Sequence, residues 1–514
     1  MRGYAYRHLA LATTALVLSG QPAFAQHADG GEAETAELLR LVREQGELLK
    51  AQQKAMDVLR ERLAALESQQ KPPTAVASAA PASRGETKAS EGQQVDRTKT
   101  VPVEAAANPT LAAANAAAAA PATANTPNRL PGLDVSWRDG APLLTDPETG
   151  FSFRPRGRIT IDATHLGGSR FDDRNLSGTE ARYLRLGAEG TIGRAFAYQL
   201  EGDFADNDLS VRSAFVSYVG QAGKDGFEIS VGNRLSERGF DASTGSANTP
   251  LLERNLVAFG IRPQKGFFGL GLTGKYFGQN WHAAVQVDGD DINNPGDSND
   301  TLTFLGRAHW NPVKSGPLTV HLGGWAWHEN LPRSVTSITV TPYIGGHFAD
   351  ALQVSSGAYP QPGSSTAGGG ELGLIGRHLY AYGEFGIRNL RSRLADRSPF
   401  NQTAWAITGG WVLTGEKPAY ASRTGAWGRQ QVLNPVGQGG SGAVEIVGRY
   451  EGIDFTDYVL GGDGWDATAG INWFINPELK FMANVIHWHT DNRTGDYQGS
   501  DDGNTISARM QLAF

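Results

Sequence analysis

The chain has 514 residues, 65 of them glycine, no cysteine, and a net charge of −7. The absence of cysteine excludes a disulfide framework and thiolate metal sites. An acidic balance with no concentrated basic patch excludes a nucleic-acid partner.

Residues 1–25 read as a signal peptide. Arg2 and Arg7 form the charged start, Leu9 to Leu18 the apolar core, and Ala23-Phe24-Ala25 a small-x-small cleavage site before Gln26. That apolar run is too short to span a bilayer as a helix, and no later stretch is long enough either. Any membrane passage is therefore by a closed barrel.

Residues 26–67 are expected to be a periplasmic coiled-coil helix. Leu38, Val42, Gln45, Leu49, Gln52, Met56, Leu59, Leu63 and Leu66 alternate spacings of four and three, with charged and polar residues between them. A lone amphipathic helix is the alternative. A self-associating helix implies a homo-oligomer, taken here as a trimer. Residues 68–150 form a linker, most strongly biased to Ala, Pro, Thr and Ser over 68–128, that buries too little to offset the entropy of ordering.

From residue 151 to 514 short segments alternate by twos. Sixteen are expected near 153–165, 180–192, 195–206, 209–220, 225–234, 267–278, 280–289, 302–312, 317–329, 369–376, 378–390, 402–414, 441–453, 464–475, 477–490 and 504–514. In the last, Ile506, Ala508, Met510, Leu512 and Phe514 share one parity, and Thr505, Ser507, Arg509 and Gln511 the other. The fold class is thus an all-β transmembrane barrel of about sixteen antiparallel strands, preceded by the coiled coil and a disordered linker. A soluble sandwich is the alternative, but the polar parity carries Arg156, Arg158, Asp162, Arg185, Glu189, Glu201, Asp203, Lys275, Glu384 and Arg388, charges of both signs suited to a wet lumen.

An even count puts the short turns at Gly193-Arg194, Gln279 and Asn476-Pro477-Glu478 on the periplasmic side. The long connections 166–179, 235–266, 290–301 and 330–368 then lie outside. The count requires that Thr336 to His347, itself strand-like, belong to the 330–368 excursion. It also puts the long connection 415–440 in the periplasm.

A sixteen-stranded barrel leaves an aqueous channel, and inward loops and charges set its selectivity. The connection 235–266 is the candidate constriction. It carries Arg238, Arg254, Arg262 and Lys265 against Glu237, Asp241 and Glu253. Arg154, Arg156 and Arg158 add a cationic strip on the first strand. The acids of 288–300 have calcium's ligand chemistry but not the EF-hand spacing, and they read as a solvated outer loop. His487 and His489 read as interfacial. No catalytic motif, metal site or cofactor site emerges.

Several motifs, in chain order, resemble the phosphate-selective porin O and P family. They are Phe151-Ser152-Phe153 with Gly157-Arg158, then Arg185 to Gly190, Leu252 to Leu256, Leu413 to Glu416, Gly442 to Glu445 with Arg449-Tyr450, Gly470 to Trp473, and Met510-Gln511-Leu512 with Phe514. The resemblance covers 151–514 and implies a trimeric outer-membrane porin passing anions. It matches Arg158, Arg182 and Arg254 to the family's constriction arginines. It places Tyr183 where a second arginine stands, Ala242 at the third-loop lysine, Arg212 in place of an acid, and Thr339, Thr341 and Tyr343 along the arginine ladder. The expected function is passive diffusion of small hydrophilic solutes, anion-biased, with phosphate the solute the family name implies. A second expectation is a plugged barrel that tethers the outer membrane to the cell wall through the coiled coil.

Overall fold

The computed structural model describes residues 132–205, 208–294 and 299–514. The expected signal peptide, coiled coil and most of the linker lie outside these residues.

The linker reading fails at its end. Asp134–Arg138 (β1) and Ala141–Asp146 (β2) form a hairpin. Its turn residues Asp139 and Gly140 both have positive φ, 51° and 78°. An Asp-Gly pair between apolar residues is a strong hairpin signal, and here it ends the linker early. β2 extends the sheet by pairing Leu144 with Phe153.

Sixteen antiparallel strands follow: Phe151–Gly167 (β3), Ser177–Ile192 (β4), Phe196–Asp203 (β5), Ser210–Ala222 (β6), Asp225–Leu235 (β7), Phe268–Phe277 (β8), Trp281–Asp288 (β9), Leu302–Trp310 (β10), Leu318–Asn330 (β11), Pro362–Ile375 (β12), Leu379–Ser392 (β13), Phe400–Val412 (β14), Ala443–Asp454 (β15), Asp463–Phe474 (β16), Leu479–Asn492 (β17) and Gly499–Ala513 (β18). β18 returns to β3, with Asn504 opposite Gly167 and Ala513 opposite Arg158, so the sheet closes. Closure removes the unpaired edges that lipid would not tolerate. Phe514 and Gly157 exchange backbone hydrogen bonds, both 3.0 Å. The Phe514 ring covers Gly157, where a Cβ would meet it at 2.5 Å.

The strands have the expected two faces. On β18, Ile506 and Met510 face outward, 55% and 44% exposed, while Arg509 faces inward at 1%. Leu186, Leu200, Val231, Val285 and Ile407 continue the apolar outer band. A soluble sandwich would show the reverse.

Three connections fill the bore. The stretch 236–267 carries two short helices, Phe240–Ser243 (α1) and Leu256–Gly260 (α2). The excursion 331–361 contains Thr336 to His347, as the strand count required, and sends Ile344, Leu352 and Val354 against Trp488 and Ile453 of the wall. One side of the interior is therefore apolar and packed, where the parity rule gave only a wet lumen.

The third connection, 413–442, starts from the rim of short turns and folds into the barrel. Its small hairpin pairs Tyr420 with Trp427 and Ala421 with Ala426. Arg307 of β10 donates to Thr424 O and Gly425 O at 3.0 and 2.6 Å, and a His309 ring nitrogen lies 2.9 Å from Ser422 O. The long connection that the strand count put in the periplasm thus folds into the pore.

Candidate pore and its cationic wall

The stretch 236–267 crosses from β7 to the opposite wall, and wall side chains tie its backbone down. Glu384 on β13 accepts from Phe240 N at 2.5 Å, from Asp241 N at 3.1 Å and from the Asn255 amide. Glu451 on β15 accepts from Leu256 N at 2.6 Å. Asn255 caps α2 by accepting from Ala258 N. Free backbone donors at helix starts are thus met by carboxylates. Loop carbonyls are met by cations and amides: Arg509 donates to Leu252 O at 2.6 Å, and Asn472 to Pro250 O at 2.7 Å.

This crossing divides the bore. On one side Phe240 stacks on Tyr382, with centroids 4.7 Å apart, and packs with Trp427 and Tyr380. Beside this cluster, and lined in part by Trp427, a cavity of about 590 Å³ remains. Its lining runs from Asp139, Arg429 and Phe514 at the short-turn rim to Arg212, Asp291 and His347 toward the other end. Ten arginines and two lysines line it against four acids, so the wall is strongly cationic.

Of the nine residues singled out from the sequence, Arg156, Arg158, Arg182, Arg185, Arg212, Arg254, Arg262 and Lys265 line this cavity. Arg238 does not. It is 1% exposed and donates to Ala258 O at 2.7 Å, so it braces the end of α2 from behind. Lys275, placed on the lumen-facing parity from the sequence, also lines the cavity, as do Arg234 and Arg429, which the sequence reading omitted. Arg234 follows the inward parity of Glu228 and Ser230, a signal present in the sequence.

Two of the cations reach the lumen through β-bulges. Thr160 pairs with Tyr183 and Ile161 with Ala181, leaving Arg182 as the extra residue. Glu201 pairs with Ser213 and Gly202 with Val211, leaving Arg212 extra. A bulge re-aims side chains and interrupts the period of two, which is how Arg182, Tyr183 and Arg185 all line the same cavity.

Most of these cations have carboxylate partners. Arg156 bridges Glu189 and Glu201 at 2.6 and 2.8 Å, and Arg182 meets Glu253 at 3.0 Å. Arg185 meets Asp203 at 2.8 Å, with Arg212 further off at 3.6 Å. Lys265 pairs with Asp288 and Lys275 with Glu237. Burial disfavours the Glu253 charge, but Arg182 and Arg509 outweigh it and hold its carboxyl well below the usual range.

Arg158, Arg254 and Arg262 have no carboxylate within ion-pair distance among the described residues. Arg158 donates to Ser246 Oγ at 2.8 Å and lies over the Tyr183 ring at 4.7 Å. Arg254 donates to Asp241 O and Thr244 O. Arg254 and Arg262 lie 4.9 and 5.8 Å from the Phe267 centroid. Burial pushes both Arg254 and Arg262 below the ordinary guanidinium value. An uncompensated charge held away from water is costly, and an entering anion relieves that cost.

Asp288 is taken by Lys265, and Asp290 accepts from Thr301 N at 3.3 Å. Among the described residues no group of side chains is arranged for a metal ion. His487 is exposed on the outer face, its ring 5.5 Å from that of Trp465.

A closed sixteen-stranded barrel with an apolar exterior and a charged bore defines a porin, a channel of the outer membrane rather than an enzyme. Residues 153–514 match the model of the family described as phosphate-selective porin O and P, and the chain belongs to that family. It is 28% identical over 424 residues to an uncharacterized protein of Caulobacter vibrioides, covering 79% of this chain and 80% of that one. It is 23% identical over 403 residues to Porin O of Pseudomonas aeruginosa, covering 72% and 90%. Among solved structures, OmpT of Vibrio cholerae aligns over 71% of this chain and 98% of its own, with a TM-score of 0.45 and 11% identity.

Proposed function

We propose that this porin conducts small hydrophilic solutes passively and favours anions. The observation that carries the reading is the trio Arg158, Arg254 and Arg262, lumen cations with no carboxylate partner among the described residues, in a cavity whose other cations each have one, some of them shared. Guanidinium groups stay charged across physiological pH and present forked donors suited to oxyanions. Phosphate is a weaker assignment, because Thr339, Thr341 and Tyr343 stand where the family's arginine ladder is expected. Reversal potentials of the purified protein in a potassium chloride gradient test the reading: chloride preference is expected, and potassium preference refutes it.

The cavity along the bore favours conduction over a plugged tether. The outer apolar band supports contact with membrane lipid. A homotrimer is the assembly suggested by the heptad segment 35–67, and native mass measurement of the detergent-solubilised protein checks it.

A further inference from the structure

We infer that the anions this pore carries best are organic carboxylates borne on a flat apolar body, of which an aromatic monocarboxylate is the simplest. The inference rests on the anion reading above and adds the chemistry of the rest of the solute.

The three cations without carboxylate partners stand beside aromatic rings as well as polar groups such as Ser246. Each leans on an aromatic ring, Arg158 on Tyr183 and the other two on Phe267. Phe259 meets Phe267 edge to face at 5.4 Å, and both line the cavity and are only half-buried. Tyr343 and Phe215 continue this lining. The free positive charges therefore sit at the border of an aromatic surface inside the pore.

A phosphate ion has oxygens on all sides and gains most from several guanidinium forks converging on it. Here the forks are partly spent. Arg254 uses Nε on Asp241 O and Nη2 on Thr244 O, which leaves Nη1. Arg158 uses Nη1 on Ser246 Oγ. What remains is a few N–H groups, those of Arg254 and Arg262 beside Phe267 and those of Arg158 beside Tyr183. A carboxylate takes those donors with one end while its attached ring lies on the aromatic wall. Stacking and apolar burial then add to the charge contact. A hydrated inorganic anion makes only the charge contact.

The test is titration of the chloride current of the whole porin in planar bilayers with benzoate, acetate and inorganic phosphate at equal ionic strength. Benzoate is expected to occupy the pore at a concentration at least about fivefold below that of acetate, the range ring contacts supply. Phe267→Leu keeps apolar bulk and removes the ring face, so it should lower benzoate affinity more than acetate affinity. Phe259→Leu is the second variant if Phe267→Leu does not insert. Equal occupancy by benzoate and acetate overturns the inference. So does phosphate binding tighter than benzoate, or a benzoate advantage that survives loss of either ring. Potassium preference in the reversal potential of the unsubstituted protein overturns the anion reading itself, which is a separate result.

Discussion

Arg182 Nε lies 3.0 Å from Glu253 Oε1, joining a bulge on the barrel wall to the loop that crosses the bore. Glu253 also receives Arg509 Nη2 at 3.1 Å. One loop carboxylate therefore offsets two wall cations. Glu253→Gln should free positive charge at the crossing and raise chloride-over-potassium permeability by roughly twofold or more, as expected for a lumen charge. The tie should also be insensitive to mild acid. The depressed carboxyl in the folded state contributes stability above the unfolded value of about 4.3, lost only as pH falls through the much lower folded value. Coupling between Arg182 and Glu253, measured by a double-mutant cycle at pH 7 and pH 5, should therefore be the same; a large drop at pH 5 contradicts this.

Arg509 and Arg262 should behave oppositely. Arg509 is 1% exposed and grips Asp162 through two contacts of 2.7 Å while holding Leu252 O. Its loss strands a buried carboxylate, at roughly 3–5 kcal/mol. Arg509→Gln should lower the temperature at which the barrel unfolds in detergent and loosen the crossing loop, seen as noisier single-channel current. Arg262 has no carboxylate partner, so Arg262→Gln should leave the melting temperature near its original value and reduce chloride preference.

Much of this was legible from the period of two. All sixteen strands fall on alternating segments, because one face meets lipid and the other charge. The rule fails where the backbone leaves that period. Arg182 and Arg212 are bulge residues, invisible to a parity count, and Arg182 entered only through family resemblance. Arg238 looks like its neighbours in the sequence, yet it is buried behind α2, donating to a helix carbonyl rather than lining the cavity. The pairing of Glu253 with Arg182 spans 71 positions, and no local pattern encodes which cations such acids neutralise.

Two glycines on the outward parity of the wall differ in what covers them. At Gly157 a Cβ would meet the Phe514 ring at 2.5 Å, whereas at Gly370, on the outer face of β12, nothing lies within 4 Å. Gly157→Val should displace the terminal ring from the seam between β18 and β3 and reduce the fraction that migrates as folded barrel on unheated gels. Gly370→Val should fold normally, since a β-branched residue suits a lipid-facing strand. Equal folding of the two variants would show that the seam does not depend on the ring's seat.

The inserted hairpin predicts how conductance responds to shortening. Thr424, Ala426 and Trp427 line the cavity, so the hairpin occupies space that ions would otherwise use. Its removal takes partners from the wall, among them the Tyr420 hydroxyl that meets Asn311 and His321 and the Ser422 carbonyl beside His309. Arg307 loses the carbonyls of Thr424 and Gly425 but keeps Glu371 at 2.7 Å, and His321 keeps the same carboxylate at 3.1 Å. The larger cost falls on Phe240, which packs on Tyr420 and Trp427 and would lose that cover. Replacing residues 419–428 with a short glycine-serine linker should therefore raise single-channel conductance by roughly 1.5-fold or more, because bore width governs the flow of hydrated ions. Chloride preference should persist, since Arg158, Arg254 and Arg262 are untouched. Unchanged conductance would mean that the hairpin stands clear of the conducting path, and a collapse of conductance would mean that the crossing loop needs it for support.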